Sequence, residues 1–117
     1  MVIDDDRDFQ TILRVMLTQN GFEVRSIFDG DGLSELLQEP PPDIILLDAD
    51  LPVKNGVEVG RQLKSHHSTR NVPVIMVSAN PFVDDLSREA GAIDFVQKPF
   101  TLKALIQKVE DHLAFSA

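Results

Sequence analysis

Apolar residues along this chain alternate between short continuous runs and helically spaced stripes. Met1-Val2-Ile3 and Ile44-Ile45-Leu46-Leu47 are unbroken apolar runs, as are Val74-Ile75-Met76-Val77 and the shorter Phe95-Val96. Runs of this length bounded by polar residues predict buried strands. Between them, Phe9, Ile12, Leu13, Met16 and Leu17 recur at the spacing of one helical face, and Asn20-Gly21 suits the helix end because both residues tolerate the left-handed conformation. Phe22 to Phe28 reads as a half-apolar second strand. Leu33, Leu36 and Leu37 mark a short second helix, stopped by Pro40-Pro41-Pro42. A third helix is predicted from Asn55 to Lys64. A weaker fourth carries Val83, Leu86 and Ala90 and stops at Gly91. The fifth is the clearest, with Leu102, Leu105, Ile106, Val109 and Leu113 on one face and Thr101 as cap.

Strands alternating with helices predict βαβ units and an α/β doubly wound parallel sheet of five strands with five helices. The third and fourth strands are apolar throughout, as expected when helices cover both faces. The second and fifth are more polar and suit the edges. Order 2-1-3-4-5, the flavodoxin-like arrangement, accommodates this. With 117 residues and no internal linker or repeat, the chain reads as one domain, 1–117.

Polar residues punctuate the strand ends. Asp4 and Asp5 follow the first strand, Asp48 the third, Ser78 the fourth and Lys98 the fifth. The intervals from Asp5 onward are 43, 30 and 20 residues. A strand-helix unit takes roughly 20–30 residues, so these intervals span two units, one and one. All five residues then meet at the carboxyl edge of the sheet, where strand order reverses and ligands bind. Converging carboxylates repel one another unless a hard cation relieves them, and Mg²⁺ suits one or two carboxylates plus waters. An aspartate can also act as a nucleophile and form an aspartyl phosphate, with cations and donors neutralising the phosphoryl oxygens.

Composition narrows the choice. Nineteen acidic against eleven basic residues give a net charge of −8, which opposes direct nucleic-acid binding by this domain. The absence of cysteine excludes disulfides and thiolate chemistry. No apolar run approaches a membrane span and no signal peptide is visible, so a cytoplasmic location is expected.

The motifs Val2-Ile3-Asp4-Asp5-Asp6, Leu46-Leu47-Asp48 with Leu51-Pro52 and Gly56, Val77-Ser78-Ala79, and Lys98-Pro99-Phe100 stand in one order over nearly the whole chain. Together they resemble response-regulator receiver domains of two-component signalling. The resemblance implies that Asp48 is the phosphoacceptor, supplied by a histidine kinase or histidine phosphotransfer protein. It implies that Asp4, Asp5 and Asp48 hold Mg²⁺, with the backbone carbonyl of Asp50 as a further ligand. Ser78 and Lys98 would engage the phosphoryl group, and Ser78 and Phe95 would act as switch residues reshaping the face of the fourth helix, fifth strand and fifth helix. A cis bond before Pro99 is implied as well. Partners so implied are a kinase or phosphotransfer protein and a downstream effector, and a phosphorylation-dependent homodimer is admitted.

Three features depart from the family pattern. The first strand is short, which leans toward a piece trimmed from a larger regulator or hybrid kinase, with a free-standing receiver left open as the alternative. Asp50 adds a carboxylate where family members vary. Phe95 stands where a tyrosine would supply a hydroxyl to partners.

Blander readings compete at each position. An acidic triplet such as Asp4-Asp5-Asp6 favours a helix start, Ser78 alone suits a turn, Lys98 alone a solvated surface, and Phe95 the core. His66 and His67, adjacent in a polar loop, read as ordinary surface histidines. Two rival functions remain: an unphosphorylated interaction module on the same fold, and an aspartate-nucleophile phosphohydrolase. The latter is suggested by Asp48-Ala49-Asp50, but D-x-D there normally follows the first strand.

Overall fold

A computed structural model describes residues 1–28, 33–51 and 55–116. Pro52, part of one motif above, lies outside the described residues. Five strands, β1 (Val2–Ile3), β2 (Ser26–Ile27), β3 (Ile45–Asp48), β4 (Val74–Ser78) and β5 (Asp94–Gln97), form one parallel sheet in the order β2-β1-β3-β4-β5. The intervening helices are α1 (Arg7–Gln19), α2 (Leu33–Leu36, a single turn), α3 (Gly56–Ser65), α4 (Val83–Ala90) and α5 (Leu102–Ser116). The order expected from strand polarity is the order observed.

The pairing register separates two cores. Ile45 lies beside Val74 and Leu47 beside Met76. Their side chains meet Val59, Leu63, Val83 and Ala90 of α3 and α4 on one face. Leu46, Ile75, Val77 and Val96 alternate to the other face and meet Leu13 and Leu17 of α1 and Leu105 and Val109 of α5. Period-two alternation within a continuous apolar run is what a strand covered on both faces requires.

Helix ends follow local chemistry. Asp6 caps α1 by accepting from the Phe9 N–H at 3.0 Å, Asn55 caps α3 by accepting from Glu58, and Thr101 Oγ1 accepts from Ala104 at the start of α5. Gly21, just past α1, takes φ +88°, and Gly91 closes α4 at φ +76°.

Two expectations need correction. The second strand pairs only over Ser26–Ile27, not Phe22 to Phe28, because β1 offers it two residues of ladder. On α1, Ile12 is 52% exposed, whereas Gln10 is buried. Gln10, Leu13 and Leu17 share the inward face, and the Gln10 Nε2 donates to the carbonyls of Val2 (3.0 Å), Asp4 (3.2 Å) and Ile27 (3.0 Å). These carbonyls lie where β1 and β2 end, the Ile27 one also accepting from the Asp4 N–H at 3.0 Å, and a buried amide that ties both strand ends to α1 outweighs one exposed isoleucine.

Candidate functional site

Asp4 and Asp5 lie directly after β1, Asp48 closes β3, Ser78 closes β4, and Lys98 follows β5. Parallel pairing brings these ends to one edge of the sheet. The Lys98 N–H donates to the Ser78 carbonyl at 2.8 Å, which ties the last two ends together, and the Lys98–Pro99 peptide bond is cis.

Ligand oxygens of Asp4, Asp5 and Asp48 all lie within 4.8 Å of one another. Asp4 and Asp48 are buried, while Asp5 is exposed. The Lys98 ammonium stands 3.6 Å from Asp48 Oδ1. Burial pushes the Asp4 carboxyl up to about 6, and the charges of Asp48 and Asp5 push the same way, against the Asp6 N–H bond and Lys98. Asp48 is raised as well, chiefly by burial. The Asp50 N–H, donating to Asp48 Oδ1 at 2.9 Å, and Lys98 oppose that shift; the charges of Asp50 and Asp5 add to it. Three carboxylates packed this closely, two of them short of water, make a donor set that fits a small divalent cation bound through oxygen.

The Asp50 side chain is not among these convergent oxygens. Its carboxylate turns toward β4, where Oδ1 accepts from the Ser78 hydroxyl at 3.0 Å and Oδ2 from the Ala79 N–H at 3.1 Å. The Ser78 Oγ in turn accepts from the Asn80 N–H at 3.0 Å. Sequence reading did not foresee this arrangement, since nothing in the spacing tells which way a strand-end side chain turns.

Gly56 supports the Asp48 strand from below. Its N–H donates to the Ala49 carbonyl at 3.1 Å, and a Cβ at this position would stand 2.4 Å from the Ala49 Cα and 2.9 Å from the Asp48 carbonyl oxygen. The start of α3 is therefore pressed against the backbone that carries Asp48.

Phe95 is half-buried and packs against the core shared with α3 and α4. Beside it, Asp94 accepts from Lys108 Nζ and His112 Nε2, both at 2.9 Å, and from the Phe95 N–H at 2.7 Å. The Lys108 ammonium also lies 5.8 Å from the Phe95 ring centroid. Burial alone would raise the Asp94 carboxyl, but the bonds from His112, Lys108 and Phe95 outweigh it and hold the group below its ordinary value. A depressed carboxyl stabilises the fold above its ordinary value and loses that contribution as pH falls through the folded one. Asp94→Asn is therefore expected to cost about 1 kcal/mol at pH 7, a modest figure because the pair is partly exposed, and less at pH 3. Denaturant titration of both proteins at the two pH values checks this; an equal cost at both would refute it. This β5–α5 tie joins residues 14 and 18 positions apart on different elements, so spacing gave no signal for it.

Among the described residues, no helix is long and apolar enough to cross a membrane. The family model for the response regulator receiver domain matches residues 1–110. Solved structures agree in fold. The receiver domain of the sensor histidine kinase PA1611 from Pseudomonas aeruginosa PAO1, with a magnesium ion coordinated in its active-site cleft, is 27% identical with TM-score 0.84, covering 97% of this chain and 94% of that one. A putative response regulator from Chloroflexus aurantiacus J-10-fl is 28% identical with TM-score 0.88, over 97% of this chain and 94% of that one. NtrX from Brucella abortus is 29% identical with TM-score 0.83; 98% of this chain matches only 26% of that longer protein. With all but the last few residues matched by the family model, the chain belongs to the response regulator receiver domain family.

Proposed function

We propose that this domain, spanning 1–117, is a phosphoacceptor switch of two-component signalling in which Asp48 receives the phosphoryl group. The observation that carries the reading is the convergence of Asp4, Asp5 and Asp48 within 4.8 Å, with Lys98 at 3.6 Å from Asp48. Asp4, Asp5 and Asp48 are the residues that would hold Mg²⁺, helped by the Asp50 carbonyl; bound there, the ion neutralises charge on phosphoryl oxygens.

An Asp48 carboxylate oxygen attacks phosphorus of a phosphohistidine. The P–N bond breaks, and the departing imidazole nitrogen keeps the electron pair. Lys98 balances charge on the acceptor side, and the Ser78 hydroxyl and Ala79 N–H supply donors to phosphoryl oxygens. Water later hydrolyses the acyl phosphate, so the domain catalyses only its own loading and resetting. Its donors are a histidine kinase or histidine phosphotransfer protein. Its output is a changed face of α4, β5 and α5, with Ser78 and Phe95 as switch residues, presented to an effector or a second copy in the cytoplasm. The acidic charge argues against direct contact with nucleic acid.

Intact mass after incubation with phosphoramidate tests the reading. A single phosphoryl adduct that requires Mg²⁺ and is lost in Asp48→Asn is expected. No adduct from a folded, Mg²⁺-binding protein would favour the unphosphorylated interaction module, and repeated turnover of small phosphomonoesters would favour the phosphohydrolase.

A further inference from the structure

We infer that Asp50 is an internal competitor of the phosphoryl group, a latch that holds the loading donors until phosphorylation displaces it. This rests on the reading of Asp48 as phosphoacceptor. A serine hydroxyl has one proton to give. Here the Ser78 Oγ accepts from the Asn80 N–H and spends that proton on Asp50 Oδ1 at 3.0 Å. The neighbouring Ala79 N–H is taken by Asp50 Oδ2 at 3.1 Å. One carboxylate thus bridges both donors on the β4 side of the cleft, and both bonds are charge-assisted.

Asp50 is also tied to the acceptor itself, because its backbone N–H donates to Asp48 Oδ1 at 2.9 Å. The latch and the nucleophile are two residues apart, Asp50 lying on the turn that follows β3. A phosphoryl group on Asp48 would bring negative oxygens to the same two donors. Two anions cannot share one hydroxyl proton and one N–H, and at this range they repel. Loading therefore requires the Asp50 carboxylate to leave. It is exposed, and it lines an open cleft between α3 and α4 with Asn55, Arg61 and Asn80, so solvent receives it without a core rearrangement. Ser78 then has two exclusive partners: Asp50 before loading and the phosphoryl group after it.

Asp50→Ala releases both donors, whereas Asp50→Asn keeps a carboxamide oxygen that can still accept while removing the charge. Loading from phosphoramidate with Mg²⁺ is followed by intact mass, and beryllofluoride affinity by fluorescence or NMR, for wild type and both variants. Loss of a competing charge-assisted pair is expected to raise the alanine variant's loading rate and beryllofluoride affinity about tenfold. The asparagine variant is expected to stay nearer the wild type, and the Ala79 amide proton to shift upfield in the alanine variant alone. Equal behaviour of the two variants would overturn the latch in favour of a simple charge effect, and an alanine variant no faster than wild type would overturn it outright. If neither wild type nor the alanine variant acquires the adduct, the phosphoacceptor reading fails and the latch with it; an adduct on both at one rate rejects the latch alone.

Discussion

Gly56→Ala is expected to destabilise the domain by about 3 kcal/mol, at or above the upper end of ordinary overpacking, because its added methyl meets backbone rather than a mobile side chain. The Cβ would sit 2.4 Å from the Ala49 Cα. Relief requires α3 to withdraw from β3 or the turn after Asp48 to shift, and either breaks the 3.1 Å bond from the Gly56 N–H to the Ala49 carbonyl. For a domain of this size the midpoint should fall by about 10–15 °C. Gly21→Ala is the control, since no atom lies within 4 Å of its Cβ and only the φ of +88° opposes it. That cost should be near 1 kcal/mol. Thermal unfolding of the two variants checks the ranking, and a Gly56→Ala midpoint within a few degrees of wild type would show that the turn yields easily. In whatever fraction folds, displacement of the Asp48 backbone should also slow phosphoryl loading.

Asp4→Asn is expected to act in the opposite direction and stabilise the metal-free protein at pH 7. The folded Asp4 carboxyl stands at about 6 against an ordinary 3.8. A raised carboxyl contributes fully below its ordinary value and loses that contribution as pH rises through the folded one. The wild type in chelator should therefore lose about 2–3 kcal/mol between pH 4 and pH 7. Asparagine keeps the acceptor that the Asp6 N–H reaches at 2.9 Å but carries no charge. Denaturant titrations in chelator across that range should show the wild type falling below the variant as pH rises. Mg²⁺ should then restore the wild type and do little for the variant. Parallel curves in chelator would mean that Asp4 ionises freely. Three clustered carboxylates thus cost the fold stability that the site's chemistry requires, a trade familiar at functional sites.

The frame of this architecture was legible because it rests on one-dimensional signals. β3 and β4 announce themselves as apolar runs, and the alternation that separates Ile45 and Leu47 from Leu46 follows from the pleat. Strand-end positions of Asp4, Asp5, Asp48, Ser78 and Lys98 followed from spacing and parallel order. What stayed hidden depends on direction. The turn of the Asp50 carboxylate toward Ser78 and Ala79, and the tie of Asp94 to Lys108 and His112, are choices of rotamer and helix rotation made by packing. The Gly56 contact was equally invisible, since a glycine in sequence says nothing of what approaches it. Gln10 was missed for a different reason. A polar residue spaced with Leu13 and Leu17 was passed over in favour of Ile12, because hydropathy ranks side chains and ignores backbone acceptors at strand ends.

That glutamine has a mechanical consequence. An amide nitrogen has two hydrogens, yet the Gln10 Nε2 is shared among carbonyls of Val2, Asp4 and Ile27. Any tilt of α1, or slip of β1 against β2, would strain several bonds at once inside a dry interior. The wall of the cleft that carries Asp4 and Asp5 is accordingly an abutment, braced against α1 by these bonds. Among the described residues Ser78, Phe95 and Lys98 make no side-chain hydrogen bond to α1, so on the reading of Asp48 as phosphoacceptor the displacement is expected on their side of the cleft rather than on that of Asp4 and Asp5.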